Sequence, residues 1–127
     1  MMNPKLQVLD SRPFIGSKHF DQSRDFYVAL GWQVLYDSSN IRLLELDEQR
    51  FYLQNYYQKG WCDNTMLFFS VSSVDDWFAH VKRVFSENAF SGIARISEEI
   101  ANEEYGRVFY VWDPGGALLH IAQMHND

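Results

Sequence analysis

His120 and Gln54 are the two polar side chains whose positions in this sequence point most directly to chemistry. His120 lies within the apolar run "ALLHIAQ", directly after the turn sequence "DPGG". Alignment of "LDEQRFYLQ" with "WDPGGALLH" pairs Gln54 with His120. An imidazole in such a strand can ligate a metal, act as a general acid or base, or form the wall of a pocket. We interpret His120 foremost as a pocket wall, and the other two roles stay open.

The elements that must position these side chains occur twice in the order strand, helix and three strands. The first set is "SRPFIGS", "FDQSRDFYVALGW", "WQVLYD", "IRLLELD" and "RFYLQNYY". The second set is "TMLFFSV", "SVDDWFAHVKRVFSE", "SGIARI", "RVFYVWD" and "ALLHIAQ", with the acidic loop "SEEIANEEYG" before its last two strands. This repeat predicts an α+β fold of two tandem β-α-β-β-β modules, about residues 8–58 and 64–124 of one domain spanning 1–127. We expect the strands to form a concave, partly closed mixed sheet.

Helix ends can be placed from individual residues. Gly31 is suited to the left-handed conformation that ends the first helix. Ser73, with Asp76 three residues later, has the spacing of a capping box for the second helix.

Composition narrows the classes of function. The chain has 127 residues, of which 46% are hydrophobic, and a formal net charge of −6. Its basic residues form no run, which argues against nucleic-acid binding. No apolar stretch approaches the length of a membrane span. Cys62 is the only cysteine, so no intrachain disulfide is expected, and we expect a cytoplasmic protein.

Two motifs resemble the vicinal oxygen chelate superfamily, which includes glyoxalases, extradiol dioxygenases, and fosfomycin- and bleomycin-resistance proteins. They are the run S-x-x-F-Y-x-x-L-G, from Ser23 to Gly31, and the turn D-P-x-G-x-x-L, from Asp113 to Leu119. The resemblance spans nearly the whole chain and implies the glyoxalase/bleomycin resistance fold. His19 replaces the aspartate that usually caps the first helix in this superfamily, and we expect Asp21 to take over that role.

In the enzymes of this superfamily, four positions converge on a divalent metal and usually carry His, Glu or Gln. The corresponding positions here are Arg12, Gln54, Met66 and His120. A protonated guanidinium has no free lone pair, and a thioether is a poor ligand for hard metals. We therefore predict no metal and no cofactor.

Strand alternation extends the predicted ligand site to neighbours on the same face. Phe14 lies on the same face as Arg12, Tyr52 and Tyr56 on that of Gln54, Phe68 on that of Met66, and Leu118 on that of His120. Trp61, in a polar connector, is expected to cap a cleft or an interface, whereas Trp32 and Trp77 are expected in the core. Such aromatic walls suit a planar or cationic ligand.

The resemblance is closest to the bleomycin-resistance branch, whose members are metal-free homodimers. It implies a metal-independent binding protein with a role in antibiotic resistance, holding an aromatic or cationic small molecule in a cleft at a homodimer interface. The acidic loop, with Glu98, Glu99, Glu103 and Glu104, is either a solvated face or a rim that attracts a cation. The alternatives are a metal-dependent lyase, isomerase or transferase of the glyoxalase type, and metal-free catalysis by His120.

Overall fold

A computed structural model describes residues 6–90 and 92–125. Its elements are β1 (Phe14–Gly16), α1 (Phe20–Leu30), β2 (Gln33–Asp37), β3 (Ile41–Leu46), β4 (Gln49–Gln54), α2 (Lys59–Cys62), β5 (Met66–Ser70), α3 (Val74–Glu87), β6 (Arg95–Ile96), β7 (Ala101–Glu103), β8 (Gly106–Trp112) and β9 (Leu118–Met124). The predicted α+β fold of two repeated modules is confirmed. No helix in these two ranges is both long and apolar enough to cross a membrane.

The strands form two sheets rather than the single sheet expected from the sequence. The N-terminal sheet has the order β1-β4-β3-β2, and the C-terminal sheet has the order β5-β9-β8-β6, with β7 also paired to β8. In each sheet the first strand runs parallel to the last one, β1 beside β4 and β5 beside β9. β1 and β5 are therefore both edge strands.

Two segments expected to be irregular contain regular structure. The acidic loop includes β7, which pairs with β8 through the antiparallel partners Ala101 and Val108. Charged residues are tolerated there because an outer strand exposes its side chains to water. The connector includes the short α2, whose first turn is capped by the Gln58 side chain accepting a hydrogen bond from the Trp61 N–H at 2.7 Å.

The predicted end of α1 and the predicted start of α3 are confirmed, whereas α1 begins differently from the expectation. Gly31 ends α1 with φ of 121°, in the left-handed region, and Ser73 Oγ caps α3 by accepting from the Asp76 N–H at 3.2 Å. The expectation that Asp21 caps α1 was wrong. Its carboxylate accepts a hydrogen bond from Arg42 at 2.9 Å instead, and His19 occupies the cap position without a side-chain hydrogen bond to the helix.

The two sequence motifs meet in a buried contact that joins the modules. The Tyr27 hydroxyl of α1 donates to Asp113 Oδ2 at 2.5 Å. Asp113 Oδ1 accepts from the N–H groups of Gly115 and Ala117 at 3.0 and 2.8 Å. Burial raises the pKa of Asp113 to about 6, although these hydrogen bonds act in the opposite direction. We call this contact the module joint.

Aromatic packing around the module joint forms one core for both modules. Phe26 of α1 lies 5.9 Å from Phe85 of α3, measured between ring centroids. Trp32 lies 4.8 Å from Phe51 and 5.8 Å from Phe69. The helices thus cover the inner face of each sheet and leave the opposite face to solvent.

Candidate functional site

Each sheet has one uncovered face, and together these two faces carry most of the predicted site. On β1, Ile15 is fully buried whereas Phe14 is 48% exposed. On β5, Met66 and Phe68 are 64% and 49% exposed. We call the uncovered surfaces the N-terminal face, which includes Phe14, and the C-terminal face, which includes Phe68.

The C-terminal face is built around His120. The strand register places Phe68 and Tyr110 on either side of His120. The imidazole is stacked with Phe68 at 5.9 Å between centroids and meets Tyr110 edge to face at 5.1 Å. We call these three side chains the aromatic row. The neighbouring row contains Met66, Leu118 and Trp112.

His120 is half-buried and forms ring contacts, but it makes no hydrogen bond with any of the described residues. Both ring nitrogens thus remain able to bond a ligand or water. Tyr105 extends the aromatic row, since its ring lies 5.9 Å from Phe68. Burial, followed by the proximity of Tyr110 and Glu103, raises the pKa of the Tyr105 phenol. The row therefore offers ring faces together with neutral polar groups.

The N-terminal face combines a stacked ring pair with a charged network. Phe14 and Tyr52 stack with centroids 4.9 Å apart, and Arg12 donates to the Tyr52 hydroxyl at 3.0 Å. Asp10 accepts from Arg50 at 2.6 Å and from Arg12 at 3.0 Å. These hydrogen bonds, from Arg50 foremost and then from Arg12, lower the pKa of Asp10. Charged hydrogen bonds therefore hold this face in one arrangement.

The predicted site residues fall into three groups rather than one cavity within the chain. Arg12, Phe14, Tyr52 and Gln54 belong to the N-terminal side, and Met66, Phe68, Leu118 and His120 belong to the C-terminal face. Tyr56 and Trp61 form a third group in the connector, with ring centroids 5.7 Å apart. A Cβ on Gly16 would lie only 2.5 Å from the Trp61 ring, so Trp61 packs against β1 there.

Tyr110, Trp112 and Tyr105 were not foreseen as parts of the site. Tyr110 and Trp112 lie two residues apart on β8 and are the register partners of His120 and Leu118. The turn at Asp113 would have revealed their orientation, because a hairpin turn sets the register of the strands that it joins.

The side chains beside Gln54 and His120 do not complete a metal site. On the parallel edge strands, Gly16 lies opposite Gln54 and Phe68 lies opposite His120. Neither residue has a side-chain ligand atom. Within residues 6–90 and 92–125, no three His, Cys, Asp or Glu side chains are grouped so that they could hold a metal ion. The donor set therefore does not fit the metal centre of the vicinal oxygen chelate enzymes.

No protein-family model and no curated protein matches this sequence. The fold is nevertheless shared with solved structures. A bleomycin resistance determinant encoded on the transposon Tn5 superposes with a TM-score of 0.77 at 18% identity, over 93% of this chain and 99% of that one. A bleomycin-binding protein from Streptomyces verticillus, complexed with copper(II)-bleomycin, gives a TM-score of 0.78 at 19% identity, with 94% and 98% covered.

A second kind of relative contains a metal. A fosfomycin resistance protein from Listeria monocytogenes, complexed with Mn(II) and sulfate, superposes with a TM-score of 0.70 at 14% identity, over 93% of this chain and 92% of that one. The resemblance inferred from the two motifs is thus confirmed at the level of architecture. The chain has the glyoxalase/bleomycin resistance fold.

Proposed function

We propose that this protein is a metal-independent binding protein that holds an aromatic or cationic small molecule. The observation that carries the proposal is the aromatic row, in which His120 lies between Phe68 and Tyr110 on an uncovered sheet face. Ring faces bind planar molecules by stacking and attract cations through their negative quadrupole. The imidazole nitrogens of His120 supply polar contacts that orient the ligand.

The proposed binding cleft lies between two copies of the chain. A single chain exposes apolar side chains on both faces, including Phe14, Leu35 and Met66. Leu6, Val8 and Leu9, before β1, are also 84 to 92% exposed. Such surfaces are typical of interaction sites. In a two-fold dimer, the N-terminal face of each copy can cover the C-terminal face of the other, which forms two equivalent clefts.

Charge supports a cationic ligand. The basic residues of the N-terminal face are already paired with Asp10 and Glu45. The C-terminal face is bordered by the acidic segment that contains Glu103 and Glu104. A cation that stacks on Tyr110 would therefore meet an acidic border on one side and a neutralised network on the other.

Titration calorimetry in the presence of EDTA tests the binding function. The ligands are metal-free bleomycin, which represents the compound bound by the structural relative, and ethidium, a planar aromatic cation. We expect saturable binding of at least one ligand to the unmodified protein. His120→Ala should weaken it at least fivefold, whereas His19→Ala, at the start of α1 and outside the aromatic row, should leave it unchanged.

The opposite results have distinct meanings. No saturable binding of either ligand would contradict the proposed ligand class. Binding that appears only after Mn²⁺ replaces EDTA would favour the glyoxalase-type alternative. Turnover of a bound compound that disappears in His120→Ala without loss of binding would favour acid–base catalysis by this residue.

Analytical ultracentrifugation tests the dimer separately. We expect a dimer for the unmodified chain and a shift toward monomer for the double variant Leu6→Asp, Val8→Asp. Val28→Asp, on the exposed surface of α1, is the control because it adds an aspartate at an apolar exposed residue outside the segment before β1. A monomer at all concentrations would contradict the proposed cleft between two copies.

A further inference from the structure

A second cleft opens between the modules, on the inner side of the sheets. It has a volume of about 500 Å³, within the range of small-molecule sites. Its walls come from both modules and include Leu30, Trp32, Phe69 and Trp77. We call it the inter-module cleft. Phe68 also lies at its border, whereas His120 and Tyr110 do not line it.

The walls of the inter-module cleft are aromatic and held in place. Trp32 is 5% exposed and packs edge to face against Phe51 and Phe69. Trp77, on α3, lies 5.6 Å from the ring of His80, whose Nε2 is 2.8 Å from the Leu30 carbonyl oxygen at the end of α1. These contacts fix both indoles, so a ligand that stacks on them loses little side-chain freedom of the protein.

The opening of the cleft carries an acidic side chain. Asp47 lines it from the tight turn between β3 and β4, where Asp47 and Glu48 have φ of 47° and 66°. Three other acidic residues around this sheet, Asp10, Asp37 and Glu45, are paired with arginine. Asp47 forms no ion pair or side-chain hydrogen bond with the described residues. Its charge remains available to a cation.

We infer that the inter-module cleft is a binding site for an aromatic amine of one or two rings. The ring system stacks between the walls formed by Trp32, Trp77 and Phe69, and the ammonium group points toward Asp47. The site is distinct from the cleft between two copies in the proposed function, because Trp32, Phe69 and Trp77 lie on the covered side of the sheets and neither His120 nor Tyr110 lines it. Its existence does not depend on dimer formation.

The test is titration calorimetry with 1-naphthylmethylamine, and with 1-naphthoate as an anionic probe of similar ring size. We expect saturable binding of the amine and at least tenfold weaker binding of the carboxylate. Asp47→Asn should weaken the amine three- to tenfold, because it removes the charge while asparagine tolerates a positive φ. Ser72→Phe, at an exposed residue of the lining, should fill the opening and abolish binding.

His120→Ala and Tyr110→Ala separate this site from the one in the proposed function. Both variants should retain saturable binding of the amine, and adding Asp47→Asn to either variant should weaken that binding. Loss of amine binding in these variants, or retained amine binding in Ser72→Phe, would overturn the inference. Equal affinity for the amine and the carboxylate, or no saturable binding of the amine, would overturn it as well. If Ser72→Phe fails to fold, the variants Asp47→Asn, His120→Ala and Tyr110→Ala still test the inference. An unchanged affinity of Asp47→Asn for the amine would contradict the assigned orientation of the ligand. Failure here leaves the bleomycin and ethidium result unaffected.

Discussion

The N-terminal and C-terminal faces are equivalent surfaces of two repeated modules, yet they are built from different interactions. On the N-terminal face, Arg12, Asp10, Arg50 and Glu45 form a chain of charged hydrogen bonds that reaches Tyr52. On the C-terminal face, His120 stacks with Phe68, meets Tyr110 edge to face and makes no hydrogen bond with the described residues. The comparison teaches that one duplicated scaffold can present a rigid polar wall and an aromatic wall without a change of fold.

The largest expected effect concerns the module joint, on which both faces depend. The folded pKa of Asp113 is about 6, above its usual value of 3.8. A raised pKa means that Asp113 stabilises the fold at low pH and that this contribution is lost as the pH rises through about 6. The free energy of unfolding should therefore fall by about 2 kcal/mol between pH 4 and pH 7, relative to Asp113→Asn.

Urea unfolding of both proteins across this pH range measures the difference. Asp113→Asn keeps an oxygen that can accept from the Gly115 and Ala117 N–H groups, but it cannot ionise. The comparison between the two proteins cancels the other carboxylates, such as Asp10, whose lowered pKa acts in the opposite direction. A difference that is constant with pH would mean that Asp113 does not ionise within this range.

A pair of tyrosines tests the contrast between the two faces directly. Tyr110 and Tyr52 are both half-buried on uncovered faces, so Tyr110→Ala and Tyr52→Ala remove the same atoms. We expect Tyr110→Ala to weaken ethidium binding about tenfold, or about 1.4 kcal/mol, because it removes a ring from the aromatic row. Tyr52→Ala should weaken it less, since its hydroxyl is already bonded to Arg12. Calorimetry that gives equal losses would remove the functional distinction between the faces.

The charged network of the N-terminal face should contribute a smaller, salt-dependent effect. Arg50 donates to both Asp10 and Glu45. Arg50→Gln should lower the free energy of unfolding slightly at low salt, because the network is only partly shielded from solvent. The loss should shrink in 1 M NaCl. An effect that is independent of salt would point to packing of the side chain rather than to its charge.

The smallest expected effect extends the comparison from the faces to the helices. α3 has a side-chain cap, Ser73, and α1 does not. His19→Asp should raise the free energy of unfolding by about 0.5 to 1 kcal/mol, because a carboxylate can accept from the free N–H groups of the first turn. Ser73→Ala, the matched loss in α3, should lower it by about 1 kcal/mol. Thermal unfolding measures the stability of both variants. If His19→Asp leaves the free energy of unfolding unchanged, the start of α1 is already stabilised by Ser17, which accepts from the His19 N–H.

The repeated elements and much of the side-chain orientation were predictable from the sequence. Alternation along "ALLHIAQ" places Leu118 and His120 on one side of a strand, because successive side chains point to opposite faces. The left-handed Gly31 and the Ser73 cap are equally local features, and both are confirmed.

Features that depend on distant residues were not predictable in the same way. The role of Asp21 could not be assigned correctly because its hydrogen-bond partner, Arg42, lies on β3, 21 residues away in the sequence. The orientation of Tyr110 does not follow from "RVFYVW" alone, which is apolar on both sides, and needs the register that the turn at Asp113 sets. The division of the strands into two sheets depends on which strand edges pair with each other, and the composition of the strands does not determine this pairing. The inter-module cleft likewise arises from packing between modules rather than from any motif.

The parallel pairing of β1 with β4 has a consequence for folding during synthesis. All four strands of the N-terminal sheet lie within residues 14–54, so this sheet can close soon after that segment leaves the ribosome. Tyr27, however, must wait for Asp113, which is made 86 residues later. A nascent first module therefore carries a polar hydroxyl and an incomplete core until the second module has been made, and its final consolidation is coupled to the appearance of that module.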